Sequence, residues 1–255
     1  MQKTITYEHP LNERIRMFLR LELLFQQVRY TLQGSSPWDS RFTITGLMDI
    51  LEVFSRSDLK TEMIKELERH EAGLERLSTY PGVDQTRLNA ILNRLDELGN
   101  QLHALGGQLG QVLRDDDFLS AIRQRSSIPG GTCAFDLPAY HRWLQQPADT
   151  RIAEQERWFA TLDPIRNTVE LVLKLIRSST EATTETAEGG LYQKTLDAAS
   201  PCQMVRIILP AEAPYFAEVS GSKHRFSVRF MLPQNLERST QCNEDIRFQL
   251  SCCVI

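Results

Sequence analysis

The chain has 255 residues, 41% hydrophobic and 24% charged, with a formal net charge of −4 at pH 7. This is an ordinary globular composition, long enough for one large domain or two modest ones. Its mild acidity argues against a chain built for nucleic acid or an anionic membrane, and no apolar run reaches the roughly 18 residues that a spanning helix needs. The N-terminal MQKTITYEHP has no apolar core or cleavage site, so no export signal is expected. Cysteines at 133, 202, 242, 252 and 253 make no disulfide framework and fit a reducing cytosol. The net charge hides a segregation. Residues 1–30, 119–151 and 203–231 each hold two more basic than acidic side chains, and the remainder is correspondingly acidic. Three basic islands on an acidic chain suggest a local anion site, if they meet in space.

Residues 2–7, QKTITY, read as a short strand. Glu8–Gln27 reads as a helix opening at Pro10, apolar around most of its circumference and so expected to be a central core element. A narrow polar strip remains, with Arg16 and Arg20 one turn apart and Glu13 close enough to offset part of their repulsion. That strip is either solvated or a pair of guanidinium forks aimed at a carboxylate-bearing partner, and the spacing supports both readings equally.

Gly34-Ser35-Ser36-Pro37 reads as a loop, followed by a helix over 41–56. Ser57-Asp58 supplies an N-cap for a helix from Leu59 to about Leu77, and Asp84 caps the next. Glycines 99, 106, 107 and 110 read as breaks. They lack phosphate-loop spacing and a following Lys-Ser/Thr. Asp115-Asp116-Asp117 resembles a metal cluster at first sight but reads better as the cap of a helix running to Arg125, with acids at its start and arginines at its end. After Pro129-Gly130-Gly131, helices are expected from Pro138, over 150–162 and over 164–177, with Asp163 capping the last.

Composition changes at Ser178. The run 178–190, SSTEATTETAEGG, is polar and nearly free of large apolar residues, as a linker or mobile loop would be. Beyond it the period falls from 3.6 to 2. Strands are expected at 191–195, 203–209, 215–219, 223–231 and 244–252, with a hairpin turn at Ser220–Lys223. Phe226, Val228 and Phe230 face inward, so Arg225 and Arg229 stand on the opposite face, about 13 Å apart at strand rise. The expected fold is α+β. A helical domain, 9–178, packs on one mostly antiparallel sheet formed by 1–8 plus 190–255, with 179–189 as the connection.

The sequence has no GxGxxG, P-loop, HExxH, GxSxG or CxxC, and its histidines have no ligand spacing. No enzyme, cofactor or metal is expected. The final Cys-Cys-Val-Ile fits C-a-a-X prenylation formally, but the upstream polybasic run is missing, and lipidation is not expected.

Longer strings carry more. EHPLNERIRMFLRLE at 8–22, EVFSR at 52–56, TEMIKELER at 61–69, PGVDQTR at 81–87, RQRSSIPGGTCAFDLPAYHRWL at 123–144 and SGSKHRFSVRFM at 220–231 together resemble the ZapD family of bacterial cell-division proteins, essentially end to end. The resemblance implies a cytoplasmic homodimer at the mid-cell division site. Its helical and β domains would bind the C-terminal tail of FtsZ, the bacterial tubulin homologue, and cross-link FtsZ filaments. That tail is short, acidic and apolar, so basic islands are a reasonable counterpart. Arg16, Arg20, Arg56, His141, Lys223, Arg225 and Arg229 fall in the matching strings and are the expected tail-binding residues, in a groove between the helices and the sheet's exposed face. Arg123 and Arg125 match as well but also have a helix-end explanation. A nucleic-acid-binding module using the same arginines is the alternative, opposed by the acidic net charge. Neither nucleic acid nor membrane is expected as a partner.

Overall fold

The structure, a computed structural model, describes residues 3–55, 58–234 and 238–254. Arg56 and Ser57 therefore lie outside the described residues. The class is α+β, as expected. The chain divides into two compact units, one continuous, Phe18–Val172, and one assembled from Met1–Met17 and Leu173–Ile255.

The continuous unit holds most of the helices: α1 (Glu13–Thr31), whose first turn belongs to the other unit, α2 (Pro37–Phe54), α3 (Leu59–Glu75), α4 (Gln85–Ala104), α5 (Gln111–Arg114), α6 (Asp117–Ser126), α7 (Pro138–Leu144), α8 (Ala148–Ala160) and α9 (Asp163–Ser178), whose last turns also belong to the other unit. The sequence reading of α1 needs two corrections. Pro10 does not open it. The chain is still extended at Pro10, and the cap is Asn12, whose Oδ1 accepts from the Ile15 N–H at 2.9 Å. Nor is α1 buried all round. Ile15, Phe18, Leu21, Phe25 and Val28 recur at helical spacing and are buried, while Leu23 is 65% exposed.

Helix α2 starts earlier than expected. Ser36 and Asp39 form a reciprocal capping box, and Pro37 takes the first position, where a missing N–H costs nothing. Helix α4 runs through Gly99 to Ala104, so that glycine is not a break. Asp84 caps α4 through the Arg87 N–H, as expected. The aspartate triplet also behaves as a cap. Asp116 accepts from the Leu119 N–H at 2.9 Å, and its other oxygen accepts from Trp158 Nε1. Phe118, Tyr140, Trp143 and Trp158 pack as an aromatic cluster, with Phe118 and Trp158 stacked at 5.8 Å.

The other unit is a β-sandwich. Its strands are β1 (Thr4–Pro10), β2 (Thr183–Ala187), β3 (Leu191–Thr195), β4 (Cys202–Pro210), β5 (Phe216–Gly221), β6 (Arg225–Leu232), β7 (Thr240–Gln241) and β8 (Ile246–Val254). All pairings are antiparallel, in two sheets rather than the single sheet expected: β1-β4-β8-β2, and β3-β6-β5 with β7 beside β6. The inner faces meet ring to ring. Phe230 lies 5.1 Å from Phe248, and Tyr192 lies 5.3 Å from Phe248. Alternation reports which side chains point inward but not which strands share a sheet, so one sheet or two fit the same pattern. The run expected as linker contains β2. Its TTETA pairs from Thr183↔Leu250 to Ala187↔Ile246, and Ala187 is fully buried. Threonine's β-branch makes it a good strand residue despite its polarity.

The chain's first strand does join the C-terminal strands, pairing from Thr4↔Pro210 to Pro10↔Met204. On this sheet's outer face Glu8 holds two arginines. It accepts from Arg177 Nε at 2.8 Å and Nη2 at 2.7 Å, and from Arg206 Nε at 3.0 Å. Between β2 and β3, Gly190 takes φ +71°, and a Cβ there would lie 2.1 Å from the Cys242 carbonyl oxygen. Gly190→Ala is expected to cost about 1–3 kcal/mol. Gly189 also has positive φ, but its nearest neighbour is 3.9 Å away. Gly189→Ala should therefore lower the thermal midpoint less, and equal losses would dismiss the close approach as the cause.

Candidate functional site

In the sandwich, the β5–β6 hairpin is built as its sequence requires. The Ser222 N–H donates to the Arg225 carbonyl at 2.8 Å, and the register runs from Gly221↔Phe226 to Phe216↔Met231. Phe226, Val228 and Phe230 are buried, and Arg225 and Arg229 are exposed on the other face, as the alternation predicts. Arg229 stands between Leu191 and Glu218 in the cross-strand register, and Arg225 stands opposite Thr195. Lys223 is exposed in the turn. A polar cavity of about 530 Å³ opens beside the hairpin, lined by Lys194, Thr195, Ser220, Ser222, Arg225 and Ser227 among others. Lys194 was not anticipated. Its signal was its place on a strand that pairs with the one bearing Arg225.

Arg16 belongs to the same unit. Its Nε donates to Glu13 at 3.1 Å, which is the offset the sequence suggested. His9 is held below the usual imidazole range, first by burial and then by the Arg16 charge.

Arg20 and His141 lie in the helical unit, both exposed, on α1 and α7. Among the described residues Arg20, His141, Lys223, Arg225 and Arg229 make no ion pair, although Glu218 stands opposite Arg229. The structure thus groups Arg16, Lys223, Arg225 and Arg229 in one unit and Arg20 and His141 in the other.

The helical unit has a cavity of its own, about 480 Å³, that the sequence reading missed. Trp38, Arg41 and Phe42 contribute from α2, Arg114 from α5, Arg123 from α6 and Tyr140 from α7. The Arg41 guanidinium lies 5.6 Å from the Trp38 ring centroid and 5.0 Å from that of Tyr140, and it donates to Thr132. Trp38 is 68% exposed and Phe42 55% exposed. Arg114 donates to the Leu51 carbonyl at 2.7 Å, and its buried Nε has no partner. Burial pushes the Tyr140 phenol up to about 12, and burial followed by the Glu52 charge raises Asp49. The missed signal was Trp38-x-x-Arg41-Phe42, which at i, i+3, i+4 shares one helix face. Exposed rings interleaved with guanidinium groups suit a ligand carrying both apolar and anionic groups.

Fold and surface together define an α+β protein of a helical unit and a β-sandwich, each with a cationic, partly unpaired surface. Among the described residues no helix is long and apolar enough to cross a membrane. Residues 19–229 match the family model described as "ZapD: Cell division protein". The chain is 42% identical over 255 residues, all of both chains, to the cell division protein ZapD of Methylococcus capsulatus. It is 40% identical to that of Coxiella burnetii (99% of this chain, 98% of the relative) and 37% identical to that of Escherichia coli (99% and 100%). The chain belongs to the ZapD family of cell division proteins, which is not a known enzyme family, and its role lies in cell division.

Proposed function

We propose that this protein binds the acidic, apolar C-terminal tail of FtsZ and, as a cytoplasmic homodimer at the division site, cross-links FtsZ filaments. Full-length kinship with the ZapD proteins is the observation that carries this reading. The geometry supports it. Arg20, Lys223, Arg225 and Arg229 are exposed cations and His141 is an exposed imidazole; among the described residues none of the five makes an ion pair, and they are available for hydrogen bonds to carboxylates. They, with Arg16 and Arg56, are the proposed tail-binding residues. Each tail binds weakly alone, and two sites on one dimer gain on the order of 10²–10⁴ in avidity along a filament.

The protein should pellet with assembled FtsZ and remain in solution when FtsZ lacks its tail. Arg20→Ala and Arg229→Ala should each weaken binding roughly tenfold, the loss of one charge-assisted contact, and leave the circular dichroism spectrum unchanged. Raising the salt concentration should weaken binding further, because exposed charges are screened. Wild-type bundling by both variants would show that these arginines are not the site.

A further inference from the structure

The cysteines at the end of the chain have no part in the proposed tail binding, and their placement is specific. Strands β4 and β8 pair with Val205 opposite Cys252, Met204 opposite Cys253 and Cys202 opposite Val254, with a register shift between Cys202 and Met204. Two residues of β4 advance against one of β8, so the irregularity turns Cys202 onto the same face as Val205 and Cys252. Cys202 joins the core between the sheets, and Cys252 packs against that core. The two cysteines are diagonal neighbours across the strand pair, a spacing that side chains can span. The Cys202 sulfur also lies 3.3 Å from the Met204 carbonyl oxygen.

Their exposures differ in a useful way. Cys202 is 5% exposed, while Cys252 is half-buried. Cys253 is fully buried on the opposite face, beside Glu8, Arg206 and Arg177, and takes no part in the pair. The groups facing Cys252 are Cys202 from β4, Lys194 and Tyr192 from β3 and Glu185 from β2. The Cys202 hydrogen bond, with help from Lys194, outweighs burial and Glu185 and brings the Cys252 thiol down to about 7, while Cys202 is pushed up. The half-exposed sulfur is the better nucleophile, and the buried one keeps its proton.

We propose that Cys252 and Cys202 are an oxidation site, Cys252 reacting with hydrogen peroxide and Cys202 resolving the product into an intramolecular disulfide across β4 and β8. In the first step the Cys252 thiolate attacks one peroxide oxygen. An S–O bond forms, the O–O bond breaks, and hydroxide leaves, so sulfur is oxidised and peroxide reduced. In the second step Cys202 gives its proton to the hydroxide released in the first, its thiolate attacks the Cys252 sulfenic sulfur, the S–S bond forms, the S–O bond breaks and hydroxide leaves. The S–S bond formed is about 2.05 Å long.

The test treats the full-length protein with stoichiometric hydrogen peroxide, counts free thiols, and maps peptides without reduction. Free thiols should fall from five to three, with Cys202 and Cys252 in one linked peptide, and dithiothreitol should restore all five. In Cys202→Ser, dimedone should label Cys252. Without any variant, iodoacetamide at neutral pH should alkylate Cys252 on the order of tenfold faster than Cys133, the other half-exposed thiol. Five free thiols after peroxide, a link through Cys253 or Cys133, or alkylation of Cys133 first would overturn the assignment.

Discussion

Arg151→Met should lower the stability of the helical unit by about 3–5 kcal/mol, a large effect for one substitution. Arg151 is only 4% exposed, and it is a hub rather than half of an ion pair. Its Nε donates to Ser40 Oγ at 3.1 Å, Nη1 to the Leu144 carbonyl at 3.1 Å and the Gln146 carbonyl at 2.5 Å, and Nη2 to the Ser35 carbonyl at 2.7 Å. Three carbonyls on two separate segments, the turn before α2 and the end of α7, thus depend on one side chain. Methionine fills much of the volume but donates nothing: the carbonyl of Leu144, a buried residue, is left unpaired at about 1–3 kcal/mol, and the part-buried carbonyls of Ser35 and Gln146 and the Ser40 hydroxyl lose their partner as well. Urea unfolding followed by tryptophan fluorescence reads the loss, because Trp143 and Trp158 lie in the same unit. A change under 1 kcal/mol would show that water replaces the guanidinium without difficulty.

Glu8→Gln should cost the sandwich about 2–3 kcal/mol near pH 7. Removing one partner of a fully buried pair costs about 3–5 kcal/mol, and this site is partly open. Burial raises the Glu8 carboxyl, but the hydrogen bonds and charges of Arg177 and Arg206 outweigh it and hold it below its ordinary value. A carboxyl with a depressed folded-state value contributes its stability above the unfolded value, and that contribution is lost as pH falls through the folded value. The gap between wild type and Glu8→Gln should therefore be full at pH 7 and close in acid. A gap that stayed constant down to pH 2 would place the cost in packing rather than charge.

Much of the architecture was legible because one physical signal decided it. Asp84 and Asp116 cap helices where short acceptors precede helical spacing, and the β5–β6 hairpin follows from alternation around Ser220–Lys223. Where two signals competed, the louder misled. Pro10 resembles a helix start, but seven residues of strand pairing with β4 hold the chain extended through it, and Asn12 caps instead. The polarity of 178–190 hid β2, whose strand character depends on a partner some sixty residues away. The candidate cations on β6 could be assigned to a face because a strand has only two. Arg41 and Trp38 could not be, because their cavity is closed by α5, α6 and α7, segments that no local spacing connects to α2.

The strand order β1-β4-β8-β2 has a consequence for synthesis on the ribosome. Residues 18–172 emerge as one uninterrupted stretch and can mature early, whereas β1 waits for β4 nearly two hundred residues later. One of the two interior strands of that sheet, β8, is made after both of its neighbours, so β4 and β2 leave the exit tunnel with open edges on the sides that β8 will fill. Such edges are where chains stick to one another. The nascent sandwich is therefore the part of this molecule that carries unpaired strand edges longest during synthesis.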